Sequence, residues 1–145
     1  MKIELREMTM KDYEAVYALW QESEGLKHNS DDDSRDSINR FLERNPNLSY
    51  VGWDGGLLVG AALCGHDGRQ GYIHNLAVRK SHRKQGIGKS LVGRCMYALM
   101  HIGIHHCHLF VLGDNQAGIQ FWEKLGWEQR VELITMSQPL STKSH

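Results

Sequence analysis

The sequence predicts an α/β fold with an α+β ordering. It calls for a mixed central sheet of about six to seven strands, flanked on both faces by about four helices. Three observations predict it. Strand-like apolar runs and helix-period stretches follow one another in the order β-α-α-β-β-β-α-β-α-β-β. A strong hairpin turn, Asp54-Gly55-Gly56, joins two of the strand runs. The second of those runs, residues 57–64, is almost wholly apolar and reads as a central strand.

Residues 2–7 alternate, with Ile3 and Leu5 on one face, and read as the first strand. Thr9 followed by Asp12 resembles a capping box. Val16, Leu19 and Trp20 give the helix after it an apolar stripe, and Glu24-Gly25-Leu26 ends it. Residues 28–33 are polar and acidic. A second helix is expected over about 34–44, with Ile38, Phe41 and Leu42 facing inward, until Asn45-Pro46-Asn47 stops it. Residues 48–53 and 57–64 flank the hairpin turn, and 65–71 form a polar loop with three glycines. Residues 72–78 read as a strand through Ile73, Leu76 and Val78. From Ile87 the apolar residues recur as Leu91, Val92, Cys95, Met96 and Leu99, one face of a helix that Gly103 closes. Residues 107–112 read as another apolar strand, broken by Gly113-Asp114-Asn115. A short helix is expected at 119–125, ended by Gly126, and the last two strands at 127–130 and 133–137.

The length of 145 residues suits one domain with a real core, expected over 1–140 with a loose tail at 141–145. Lys plus Arg and Asp plus Glu are both 17, so the formal charge is zero. That argues against general binding to nucleic acid or to an anionic membrane. No apolar run approaches a membrane span and no signal peptide opens the chain. Cys64, Cys95 and Cys107 are an odd count without metal-ligand spacing, as expected of reduced thiols in a cytoplasmic protein. His101, His105, His106 and His108 crowd one turn, where zinc is conceivable. No carboxylate completes the set, so a polar turn is preferred and no metal is expected.

The chain is organised around residues 72–100, which read as strand, basic turn and helix. The first turn of a helix has backbone N–H groups with no partner inside the helix, and the helix dipole adds partial positive charge there. Such an end is an anion site. Gly86 and Gly88 lack a Cβ, so a phosphate can approach the backbone. Arg79, Lys80, Arg83, Lys84 and Lys89 add charge nearby. A phosphorylated cofactor is therefore expected at Arg83, Lys84, Gln85, Gly86, Ile87, Gly88 and Lys89. This is not the nucleotide P-loop. Gly88-Lys89-Ser90 copies its end, but Arg83 stands where its first glycine belongs. Nor is it the dinucleotide fingerprint.

The pattern Arg83-x-x-Gly86-x-Gly88 after a strand resembles the acetyl-CoA pyrophosphate loop of the GNAT (GCN5-related N-acetyltransferase) superfamily. The segment running from Asn115 through Ala117, Phe121 and Trp122 to Gly126-Trp127 resembles a late motif of the same family. The element order is the GNAT order too, so the resemblance covers nearly the whole chain. It implies the GNAT fold, acetyl-CoA as cosubstrate, and direct transfer of its acetyl group in a ternary complex to a primary amine on a small molecule, a protein N-terminus or a lysine. It implies that the cofactor arm lies along Leu76, Ala77 and Val78 like an added strand. It also places the pyrophosphate on the N–H groups of 84–89, and Asn115, Phe121 and Trp122 beside the cofactor. Core packing of Leu76, Val78 and Phe121, and a turn role for Asn115, are the plainer alternatives.

The chemistry makes its own demands. Alkylamines have pKa values near that of Lys, about 10.4, so a base helps the amine attack the thioester. His74 on the cofactor strand is the preferred base, because an imidazole pKa near 6.5 suits the task. Tyr72, two residues back, shares its strand face and is the second catalytic candidate. The backbone N–H of Val78 is, by resemblance, the donor to the thioester oxygen. Two positions depart from the family. Phe110 stands where some protein acetyltransferases have glutamate. Trp122 takes the usual position of the tyrosine acid, and indole has no usable acidity. Tyr13, Tyr17 and Tyr50 stay open as acids. A non-catalytic acyl-CoA-binding domain is the alternative to an enzyme.

By resemblance, acceptor recognition falls to the first two helices and their loop, residues 23–36. Glu24, His28 and Asp31 are the candidate substrate contacts. Asp32, Asp33 and Asp36 add to an acidic character that favours a cationic amine, although a solvated, helix-capping loop has the same composition. Assembly as a homodimer stays open.

Overall fold

The computed structural model describes residues 2–26 and 31–140. A five-stranded sheet runs β1 (Glu4–Glu7), β2 (Tyr50–Asp54), β3 (Leu57–His66), β4 (Gly71–Val78) and β5 (Cys107–His108), in that spatial order. The first three contacts are antiparallel, and β5 lies parallel to β4. The helices are α1 (Tyr13–Glu22), α2 (Arg35–Arg44), α3 (Ile87–His101) and α4 (Gln116–Lys124). Among the described residues no helix is long and apolar enough to cross a membrane.

Local chemistry explains the helix starts. Thr9 and Asp12 form a reciprocal capping box at a short 3-10 turn that leads into α1. The Asp12 carboxylate is buried, yet it accepts from both terminal Arg6 guanidinium nitrogens, the Thr9 N–H and Trp53 Nε1. A buried charge needs that many partners. Ser34 caps α2 by accepting from the Ser37 N–H.

The central strand β3 separates two apolar clusters. Leu58, Ala61 and Leu63 pack with α1, α2 and Ala77 on one face. Val59, Ala62 and Cys64 pack with α3 through Ile87, Leu91, Val92, Cys95 and Leu99 on the other. Burying a Leu, Ile or Val side chain contributes roughly 1.5–3 kcal/mol relative to leaving it exposed. These two clusters therefore hold the helices against the sheet. Gly60 lets α3 approach, since a Cβ there would lie 2.8 Å from Leu91 Cδ1.

The end of the chain departs from the sequence expectation. The strand expected over 107–112 shortens to Cys107–His108, and 127–130 and 133–137 form no strand. Among the described residues the sheet therefore has five strands, not six to seven. Strands need partners: β5 pairs with β4 only at Gly71 and Tyr72, so it offers almost no edge to a later strand. Val131, Leu133, Ile134 and Met136 are left exposed. The tail at 141–145 lies outside the described residues.

Candidate functional site

The site begins where β4 and β5 part. Beyond Tyr72 the outer edge of β4 has no strand partner among the described residues. Leu76, Ala77 and Val78 lie on this stretch. The Arg79 N–H points inward to the Val59 carbonyl, so strand alternation turns the Val78 N–H toward the open edge. The Val78 carbonyl, on that same side, accepts from Arg83 Nε at 3.0 Å.

β4 is also bulged. Its register with β3 slips between Ala61 and Leu63, and Asn75 has φ of 53°. A side chain rarely adopts that left-handed backbone, although Asn tolerates it better than most. Two long-range bonds hold Asn75 there. Trp20 Nε1 donates to its carbonyl at 3.1 Å, and its Nδ2 donates to Asp33 Oδ1 at 3.1 Å. Tyr13 Oη in turn donates to the Asp33 carbonyl at 2.7 Å. The loop after α1 is thus pinned to the bulge. Sequence reasoning missed Asn75. Its one signal was an amide side chain inside the apolar run 73–78.

Past β4 the chain makes the basic turn. Lys84 and Gly86 both have left-handed backbones, with φ of 63° and 83°. No side chain caps α3 at Gly86, and beyond its own chain neighbours and helix backbone no described atom lies within 4 Å of where a Cβ on Gly86 would stand. Arg83, Lys84, Gln85, Gly86 and Lys89 are exposed around this helix start. Ile87 faces the core instead. Gly88 is buried, and a Cβ there would meet Phe121 Cζ at 3.0 Å and Val78 Cγ2 at 3.5 Å. Its missing side chain admits the Phe121 ring, whereas the open approach is at Gly86. An uncapped, glycine-started fifteen-residue helix flanked by cations fits a phosphate group.

Asn115 caps α4 by accepting from the Gly118 N–H at 3.0 Å, and its Nδ2 donates to the Gly25 carbonyl at 3.5 Å. Phe121 and Trp122 meet edge to face, and Trp122 meets Trp127 in the same way. Trp122 packs against the α3 cluster and lines neither of the two cavities described next.

Two cavities flank a wall formed by Phe41 and His74. The larger, about 520 Å³, lies between the loop after α1, α2, β4 and residues 110–112. The smaller, about 260 Å³, is lined by Arg44, His66, Asp67 and Tyr72 among others. Phe41 and His74 line both. The His74 ring stacks on Tyr72 at 6.2 Å and takes the Phe41 edge at 5.9 Å, while His108 lies 5.8 Å from Tyr72. Desolvation by burial pushes the His74 pKa below its ordinary 6.5, so the imidazole is neutral at pH 7. Its nitrogens have no protein partner among the described residues, yet neither is sealed from the surface.

The acidic residues sort differently from expectation. Glu24 ion-pairs with Lys80 at 3.9 Å and lines neither cavity, and Asp31 lines neither. His28 lies outside the described residues. Asp32 and Asp33, just before the Ser34 cap of α2, line the larger cavity instead. The tyrosines left open as acids lie elsewhere. Tyr13 is buried and bonded to Asp33, the Tyr17 ring lies tilted 5.8 Å from that of Tyr13, and Tyr50 donates to the Asn47 carbonyl. None lines either cavity. His101 stacks on Tyr97, and His108 meets Tyr72 at a tilt. Among the described residues no three His, Cys, Asp or Glu side chains gather as a metal site.

Comparison with known proteins gives a consistent result. The acetyltransferase (GNAT) family matches residues 8–127. A protein named as an acetyltransferase from Pectobacterium atrosepticum is 34% identical over 138 residues, covering 95% of this chain and 96% of its own. A similarly named protein of Sodalis glossinidius is 31% identical over the same shares. Among solved structures, PaiA N-acetyltransferase from Thermoplasma acidophilum in complex with coenzyme A matches at a TM-score of 0.77 and 20% identity. That match covers 86% of this chain and 89% of its own. A predicted acetyltransferase with acetyl-CoA from Clostridium acetobutylicum matches at 0.76 and 20%, covering 94% and 96%.

Proposed function

The chain belongs to the GNAT acetyltransferase family, and from that premise we propose that it transfers the acetyl group of acetyl-CoA to a primary amine in a ternary complex. The observation that carries this reading is one continuous path: an uncapped helix start at Gly86, the unpaired edge of β4, and a cavity lined by a neutral histidine.

The pyrophosphate sits on the backbone N–H groups at the start of α3, with Lys84 and Lys89 supplying charge. The cofactor arm pairs with the β4 edge at Leu76, Ala77 and Val78. Asn115 supports that place by fastening α4 to the loop at Gly25. Phe121 lies over Gly88 at its base. The acceptor amine enters the larger cavity as an ammonium. Neutral His74 takes its proton, directly or through water, with Tyr72 stacked behind the ring. The amine nitrogen attacks the thioester carbon, and the oxygen takes negative charge toward the Val78 N–H. The C–S bond then breaks, the nitrogen gives up its second proton to water, and the thiolate leaves and takes a proton from water.

A second reading, a non-catalytic acyl-CoA-binding domain, is favoured by Trp122 at the usual tyrosine position. The test separates the two. His74→Ala and His74→Gln should lower kcat by about a hundredfold, the lower range for general base catalysis, with acetyl-CoA affinity within twofold of wild type. Unchanged kcat in either variant removes His74 from the mechanism.

A further inference from the structure

Among the described residues the charge lining the larger cavity is one-sided. Asp32 and Asp33 line it, and among the described residues no Lys or Arg does. Asp33 is only 7% exposed. Its Oδ1 accepts from Asn75 Nδ2, while no described group bonds to Oδ2. Among the described residues no buried side-chain oxygen or nitrogen lacks a partner, so Oδ2 is not sealed off, on a residue that lines the cavity. A nearly buried carboxylate with one oxygen fixed and the other open is built to receive a cation.

That cation is not the nitrogen that reacts. A carboxylate beside an amine stabilises its charged form and raises its pKa. An amine held on Asp33 therefore stays protonated and cannot attack a thioester. The reacting nitrogen needs His74, which is neutral and lines the same cavity. Leu26, Ile38, Phe41 and Phe110 line the cavity too, a surface suited to a short hydrocarbon.

We infer that the acceptor is a dication such as an alkane diamine or polyamine, with one nitrogen at His74 and a second ammonium held by Asp33, with Asp32 alongside. Asp33 is thus a specificity-determining residue, fixed in place by the Asn75 bulge. This rests on the acetyl-transfer reading given above.

The test compares α,ω-diamines of increasing chain length with n-alkylamines of the same length, following free thiol release and the mass of the product. The best diamine should exceed its matched monoamine in kcat/KM by at least about tenfold, the worth of a single charge-assisted contact. Asp33→Asn keeps an oxygen for Asn75 to donate to, and should bring that ratio close to one. Asp32→Asn should lower the ratio partway, and so should added salt. A ratio near one in the wild-type protein overturns the inference and leaves acetyl transfer standing. So does a high ratio that Asp33→Asn does not change. Transfer to neither amine by protein that binds acetyl-CoA overturns the acetyl-transfer reading and this inference together.

Discussion

Gly86 offers a sharp separation of stability from cofactor binding. Its φ of 83° is left-handed, and beyond its own chain neighbours and helix backbone no described atom would touch a Cβ there. Any penalty for a side chain is therefore backbone strain rather than a clash. For an L residue that strain is about 1–2 kcal/mol. Gly86→Ala should lose about that much stability in urea, with the slope unchanged. Gly86→Asn should lose less, because Asn tolerates this region. Gly86→Asp adds a carboxylate where the pyrophosphate is expected. Two like charges about 5 Å apart repel by ~0.8 kcal/mol even at the dielectric of water. A pyrophosphate with about two charges makes that ~1.7 kcal/mol, roughly a fifteenfold loss of affinity. Calorimetric titration of acetyl-CoA into wild type, Gly86→Asn and Gly86→Asp is the assay, with urea melts on the same samples. Gly86→Asn should bind within a few-fold of wild type. If folded Gly86→Asp binds acetyl-CoA as tightly as wild type, the phosphate is not at this helix start.

Three further outcomes follow from the same structure. Asn75→Ala should cost about 2–3 kcal/mol, from left-handed strain and a lost hydrogen bond to Asp33, and Asn75→Gly distinctly less, as urea melts would read. The acid limb of kcat/KM should fall below pH 6.5, because burial lowers the His74 pKa. Stability obeys the same sign. Between the lowered folded value and 6.5 the unfolded chain binds more protons, so stability rises with pH through that window and levels off above it. His74→Gln should remove that slope from urea melts taken across the range. Gly60→Ala should cost about 1–3 kcal/mol by forcing a Cβ against Leu91, and Leu91→Val in the same chain should recover part of it.

Most of the architecture was legible because it is local. Periodicity gave the order of strands and helices from β1 to α4, and the capping box of Thr9 and Asp12 is short-range chemistry. The last two strands were misread because alternation in 127–137 signals a strand but supplies no partner. The partner is lost where β5 leaves β4 after two residues. The Asn75 bulge was invisible for a related reason. It is held by Trp20 and Asp33, 55 and 42 residues away. The acidic loop was read correctly as acidic, but sequence does not say which carboxylates face inward. Glu24 pairs with Lys80 at the surface, whereas Asp32 and Asp33 line the cavity. Gly88 looked like a second opening for phosphate until Phe121 was found lying over it.

The central claim is that one path runs from the Gly86 helix start along β4 to His74. Its most direct measurement is the titration of acetyl-CoA into the wild-type protein, followed by mass analysis of a primary amine incubated with that complex. The account predicts saturable binding of one acetyl-CoA per chain and an acceptor heavier by one acetyl group, with free thiol released in equal amount. Absence of binding by folded protein would contradict it.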